Sequence, residues 1–328
     1  MILLVSNERD LTTDYIVLAL QRRKIPYFRL NTERLAAARM RCQPAESLGL
    51  VFEFEDRILH LSDVSAGYFR RPAMPVPKSV IDDPAERSYC CEEWNSILRS
   101  LYSMIGERWL NSPVLIAIAE DKPLQLSVAA ATGLRVPETF VTNDPDAGRA
   151  FIQNGPTVVK SLHSSLIGEE ADGSAPRVIF TNRISNAQVG DPIAFEAAPV
   201  ILQREIPKAM DIRTTVVGSH VFAASIDSQS RSETSVDWRR GSHLDLPHEA
   251  HELPKAIADR CAKLVRNLGL RFAAIDLVLD PRGEYWFLEA NPNGQWAWIE
   301  HRTGLPISSA IVDELIAIGN APNRTRSR

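Results

Sequence analysis

The sequence predicts a mixed α/β protein built of two or three packed subdomains. Three observations predict it. An apolar run Ile2–Ser6, a helical stretch Leu11–Arg23 and a second extended run Pro26–Leu30 make a βαβ opening, which points to a parallel sheet. The later half carries hairpins instead. Asp211–Val217 returns through Gly218-Ser219 into His220–Ile226, and Phe272–Leu279 returns through Asp280-Pro281-Arg282-Gly283 into a run ending at Asn291. The 328 residues, 45% hydrophobic and 24% charged, are ordinary for a globular chain of that size.

The remaining elements follow in order. Asp10 is placed to cap the first helix. No glycine-rich turn follows the first strand, so a dinucleotide fingerprint is absent. Leu50–Glu55 and Arg57–Leu61 read as a hairpin, and Gly67–Pro72 as a strand ending in Arg70 and Arg71, a solvated strand end by default. Glu86–Ile105 is a long helix with Trp94, Ile97, Leu98, Leu101 and Tyr102 on its apolar face. Trp109–Pro113 leads out of this unit, and Ile116–Glu120 leads into Asp121-Lys122-Pro123 and a helix through Ala131. Phe140–Thr142 is a strand, 145–154 a helix and Thr157–Lys160 a short β-branched strand. The long polar stretch Ser161–Pro176, with Gly168 and Gly173, reads as a mobile lid. Val178–Thr181 and Pro199–Ile206 are strands, Pro254–Leu268 is a helix capped by Gly269, Pro306–Ile318 a closing helix, and Asn320–Arg328 a frayed basic tail.

The net charge of −4 points to no nucleic-acid and no membrane partner, while leaving room for local phosphate pockets. Cys42, Cys90, Cys91 and Cys261 make no CxxC pair, which suits free thiols in a reducing cytoplasm. Met1–Val5 is too short for a signal peptide and no run of about 18 apolar residues occurs. A cytoplasmic location is predicted.

The chemistry concentrates in the last hairpin. Alternation puts Tyr285, Phe287, Glu289 and Asn291 on one face of its second strand, and Asp276 beside Ala274 and Val278 on the first. With an even loop, cross-strand pairing brings Asp276, Glu289 and Asn291 to one face. Either carboxylate alone would read as a sheet edge or a turn cap. Together with the amide they suit a hard divalent cation such as Mg²⁺, which binds through one or two carboxylates and substrate phosphates.

Lys122 at a strand-to-helix transition and Lys160 closing a strand before the glycine-bearing loop suit a polyphosphate. Gln203–Ile206 ends just before Pro207 and offers backbone groups to an adenine edge. Asp211 could reach ribose hydroxyls, and Arg213, two residues on, shares its face.

The ordered series Lys122, Val158-Val159-Lys160, Gln203-Arg204-Glu205-Ile206, Asp211-Ile212-Arg213, Asp276 and Glu289-Ala290-Asn291 resembles the ATP-grasp superfamily, in the branch of ribosomal protein S6–glutamate ligase. Phe28–Asn31, Tyr68-Phe69-Arg70-Arg71-Pro72, Glu92-Glu93-Trp94, Trp109–Pro113 and Asn293-Gly294-Gln295-Trp296 are similar to the microviridin (graspetide) maturases. The resemblance runs to about residue 318. It implies an ATP-grasp fold with an N-terminal pre-ATP-grasp α/β domain over 1–112, a central subdomain over 113–200, a C-terminal subdomain over 201–320 and a flexible tail over 321–328. It implies that Lys122 and Lys160 bind ATP phosphates, that Gln203, Arg204 and Ile206 line the adenine pocket, and that Asp211 holds the ribose. Asp276, Glu289 and Asn291 would ligate Mg²⁺. Arg213 would orient the acceptor carboxylate, and Arg239 in Asp237-Trp238-Arg239 would act on the substrate side. The partner implied is a ribosomal precursor peptide of leader plus core, the assembly a homodimer, and the reaction ω-ester or ω-amide crosslinking through acyl phosphates. The alternatives are ligation of a free amino acid to a protein or metabolite, and a non-catalytic ATP-binding module.

Overall fold

The computed structural model describes residues 1–44, 49–77, 81–163, 166–167, 177–186, 192–241 and 245–321. Its first sheet is wholly parallel, in the order Tyr27–Asn31, Ile2–Ser6, Ala66–Phe69, Trp109–Leu110. Ile2–Ser6 is buried along its entire length, as expected of a strand covered on both faces. Asp10 caps the helix Leu11–Arg22 by accepting from the Thr13 amide. The long helix begins at Pro84, two residues earlier than the sequence suggested, because Asp83 caps it and proline suits the first turn. A strand the sequence reading missed, Arg39–Cys42, joins Leu50–Glu53 and Ile58–His60 in a small antiparallel sheet. Most of its side chains face solvent, so it carries no apolar alternation.

Two helices, Pro113–Ala119 and Lys122–Ala131, lead into a second, antiparallel sheet ordered Asn182–Ile184, Thr157–Lys160, Val200–Arg204, Thr139–Thr142. The expected single strand Val178–Thr181 is not formed. Arg177–Val178 pairs instead with Leu166–Ile167, and Asn182–Ile184 joins the second sheet. Between them the Thr181 amide donates to the Asp237 carboxylate at 2.9 Å, which takes it out of either ladder.

The third sheet is the largest, in the order His248–Ala250, His220–Ile226, Met210–Val217, Phe272–Leu279, Tyr285–Asn291, antiparallel throughout. Gly218, at φ 57°, makes the tight return between its central strands. One apolar cluster joins this sheet to the helices Lys122–Ala131 and Lys255–Asn267. Another mixes residues of the first sheet and first helix with Trp296, Ile311 and Leu315 from the closing region. The helix Ile307–Asn320 therefore packs on elements near the start of the chain. Most of the proposed lid lies outside the described residues, as does the tail beyond 321. No described helix is long and apolar enough to cross a membrane.

Candidate active site

The second and third sheets both line a cleft of about 450 Å³, a size suited to a small-molecule ligand. On the third sheet, Arg213 pairs directly with Asp276, and Asp276 directly with Glu289. One row across three strands thus reads cation, anion, anion. Arg213 Nη1 donates to Asp276 Oδ1 at 2.8 Å. Gly294 packs against this row, where a Cβ would meet Ala274 Cβ at 2.5 Å and Arg213 Nη2 at 2.9 Å.

The route to that row corrects the sequence reading. The hairpin loop, residues 280–284, is odd rather than even. Unbroken pairing from Leu279 and Tyr285 would set Asp276 against Leu288. Instead the register shifts after Asp276, which pairs with Glu289 while Leu277 pairs with Phe287. Leu288 is the extra residue of a β-bulge. The bulge re-phases the strand. Tyr285 and Phe287, the latter fully buried, join the apolar core, and Glu289 and Asn291 line the cleft.

Burial raises the Asp276 pKa despite Arg213, and the charge of Glu289 raises it further. Burial opposes ionisation of Glu289 too, but Arg239, Lys160, Lys122 and Arg213 hold its pKa below the usual value. The Asn291 Oδ1 accepts from the Asn293 amide at 3.0 Å, which fixes the side-chain amide. Two carboxylates and an amide oxygen form a donor set a hard cation accepts. Among the described residues no cluster of three or more His, Cys, Asp or Glu side chains could hold a metal. A cation here would complete its shell with phosphate oxygens and water.

The second sheet supplies the positive charge opposite. Lys160 donates to Gln203 Oε1 at 2.7 Å, and Gln203 Nε2 donates to Thr139 at 2.9 Å. Burial lowers the Lys160 pKa to about 8, against the pull of Glu289. Lys122 opens its helix beside the cap Asp121 and donates to the Ser161 carbonyl at 2.6 Å. Burial lowers its pKa as well, again opposed by Glu289. Gln203 and Ile206 line the cleft. Arg204 borders it, but its guanidinium turns away. It donates to Glu138, Gly155, Thr157 and Phe151 and lies 4.0 Å over the Phe151 ring. The Arg204 side chain is a structural clamp. Asp211 is held by Lys208 at 2.9 Å and by the Ser228 hydroxyl at 2.6 Å. Arg239 forks onto Asp237 at 2.8 and 2.6 Å. Burial opposes the Asp237 charge, yet Arg239 brings its pKa down to about 2.

Several residues of the site escaped the sequence reading. Gln125, 3% exposed, donates to the Ala290 carbonyl at 2.7 Å and accepts from the Ala290 amide at 2.9 Å. Its only signal was a polar residue four before the buried Ala129 on a helix. Lys208 gave no signal beyond its closeness to Asp211. Arg70 is not a solvated strand end. It is 1% exposed, pairs with Asp10 at 3.1 Å, and donates to the carbonyls of Asn293 and Gly294 at 3.1 and 3.0 Å. Asn111 bridges the Phe272 and Pro292 carbonyls, at 2.8 and 3.0 Å, and accepts from the Arg271 and Phe272 amides. It fastens both ends of the acidic hairpin to the first sheet.

Known proteins match this arrangement. Residues 119–315 match the model of the RimK-like ATP-grasp domain. The macrocyclase MdnC of Microcystis aeruginosa, solved with the precursor peptide MdnA, is 28% identical with a TM-score of 0.82, over 97% of this chain and 99% of that one. A RiPP-associated ATP-grasp ligase of Chryseobacterium gregarium, solved with ADP and a leader and core peptide, is 25% identical with a TM-score of 0.85, over 98% and 97%. A probable alpha-L-glutamate ligase of Mannheimia succiniciproducens is 31% identical over 208 residues, 62% of this chain and 65% of that relative's length. The fold agrees with these matches, and the chain belongs to the RimK-like ATP-grasp family of ligases.

Proposed function

We propose that the protein activates Asp or Glu side-chain carboxylates of a ribosomal precursor peptide as acyl phosphates and closes ω-ester or ω-amide crosslinks. The observation that carries this reading is the cleft itself, lined by two half-buried lysines and by the Arg213–Asp276–Glu289 row. A carboxylate is a poor acyl donor because its oxygen leaves badly. Attack of a carboxylate oxygen on the γ-phosphorus, with ADP leaving, makes a mixed anhydride. A Thr, Ser or Lys side chain of the same peptide then attacks the acyl carbon and phosphate departs.

Each residue has a task in that sequence. Lys122 and Lys160 neutralise the phosphate oxygens as charge moves between them. Gln203, Ile206 and the Arg204 backbone meet the adenine edge, and Asp211 meets the ribose. Asp276, Glu289 and Asn291 fit Mg²⁺, which when bound would draw charge from the phosphates. Arg213 orients the acceptor carboxylate and Arg239 faces the developing charge. The reading includes a homodimer, which light scattering on the purified chain tests.

Likeness to two peptide-bound ligases over nearly the whole chain favours a peptide substrate. A second reading, transfer of a free amino acid, is favoured by the named glutamate ligases. Mass spectrometry decides between them. The protein is incubated with MgATP and a leader-plus-core peptide rich in Thr and Glu. Crosslinking removes one water per ring from that peptide, whereas ligation of added glutamate increases the acceptor's mass. No ADP with either acceptor would leave only a non-catalytic ATP-binding module.

A further inference from the structure

The pair Arg70-Arg71 splits into one arginine that is fully engaged and one that is not. Arg70 is spent on Asp10 and on the Asn293-Gly294 carbonyls. Arg71 leaves the strand in the left-handed region, at φ 44°, uncommon for a residue with a Cβ. The Asn7 side chain holds its carbonyl at 2.6 Å. Its side chain borders the same cleft as Asp276 and Asn291. Among the described residues its guanidinium has no hydrogen-bond or ion-pair partner. Arg71 is an exposed residue at the rim of the cleft, and partial desolvation with the neighbouring charges of Arg70 and Arg213 lowers its pKa, against Asp10. A guanidinium kept without a partner near two others, in strained backbone, is set to receive an anion.

The position selects the anion. Lys160 acts on Glu289 from the second sheet and Lys122 from the start of its helix. Arg71 comes from the first sheet and feels Arg213, which grips the far side of Asp276. We propose that Arg71, with Arg213, binds the carboxylate to be activated, so that the first sheet supplies part of the acceptor subsite. This rests on the ligase reading above. A planar fork holds both carboxylate oxygens and leaves an in-line approach to the γ-phosphorus.

The test uses the intact 328-residue chain, MgATP and the same leader-plus-core peptide, or added glutamate if that is the acceptor the wild type uses. Arg71→Ala should lower the ADP-forming rate about ten- to hundredfold, the loss of a charge-assisted contact. Its KM for ATP and its melting temperature should stay at wild-type values. Arg71→Lys should recover part of the rate, and guanidinium ion at low millimolar concentration should rescue Arg71→Ala. A wild-type rate in Arg71→Ala overturns the proposal. So does a parallel rise in KM for ATP, which would put Arg71 on the nucleotide phosphates, or a loss that neither lysine nor guanidinium restores. A wild-type enzyme that forms no ADP with either acceptor overturns the ligase reading and this proposal with it.

Discussion

Gln125 grips the Ala290 peptide from both sides, donating to its carbonyl and accepting from its amide. Ala290 lies between Glu289 and Asn291, so a helix outside the third sheet sets the pitch of both cleft side chains. Gln125→Leu should remove the side-chain partner of three backbone groups, the Ala119 carbonyl and the Ala290 carbonyl and amide, at about 1–3 kcal/mol for each left unpaired. A lower melting temperature is expected, with a higher Mg²⁺ concentration for half-maximal ADP formation. A Mg²⁺ titration with ATP saturating checks this. An unchanged Mg²⁺ requirement would confine Gln125 to stability.

Glu289→Gln keeps the shape and removes one of two facing charges. ADP formation should fall to background while the fold is retained, with a melting temperature no higher than wild type, because the cations that hold the Glu289 pKa down lose their anion. Wild-type turnover by this variant would refute the metal assignment.

Lys160 gives the pH dependence. Its pKa is lowered from 10.5 to about 8, so between those values the unfolded chain binds more protons than the folded one. By linkage its contribution makes folding stability rise as pH climbs from about 8 towards 10.5. Nucleotide binding moves the other way, since deprotonation removes a phosphate partner. The KM for ATP should therefore climb above about pH 8. Lys160→Arg, which keeps its charge, should flatten that limb. An identical profile in the variant would place the titration elsewhere.

Arg204→Met tests the clamp. The carbonyls of Phe151 and Gly155 each lose one of two donors and Glu138 loses its cation, so a modest destabilisation of about 0.5–1.5 kcal/mol is expected in chemical denaturation. The KM for ATP should move less than threefold, an order-of-magnitude bound for a side chain outside the pocket. A larger KM change would return the guanidinium to the adenine site.

Arg70→Met leaves Asp10 buried without its cation, at a cost of about 3–5 kcal/mol. Asp10→Asn in the same chain should recover part of that loss. Additive losses in the double variant would show that the pair is not coupled.

The sequence made some of this legible for physical reasons. A βαβ opening and two hairpins are local patterns, and so is the ordered run of Lys122, Lys160, Asp276 and Glu289. The parity argument for the acidic hairpin reached the right facing pair through the wrong loop, because a bulge at Leu288 depends on what the strand packs against. Arg39–Cys42 was invisible because its side chains are mostly exposed. Gln125, Lys208 and Arg70 were invisible because each acts on a residue brought near only by folding. Arg204 borders the cleft as its position suggested, but the direction of its guanidinium, set by Phe151 and Glu138, is not legible in the sequence.

The apolar cluster that joins Leu4, Ile16 and Leu20 to Ile311 and Leu315 has a consequence for biosynthesis. Those early residues emerge from the ribosome long before the helix that covers them exists. Until it is made, the nascent sheet presents a greasy flank to the cytosol, the kind of surface chaperones capture. Ribosomes stalled before residue 307 should display a protease-sensitive opening segment, and completing the helix should silence it.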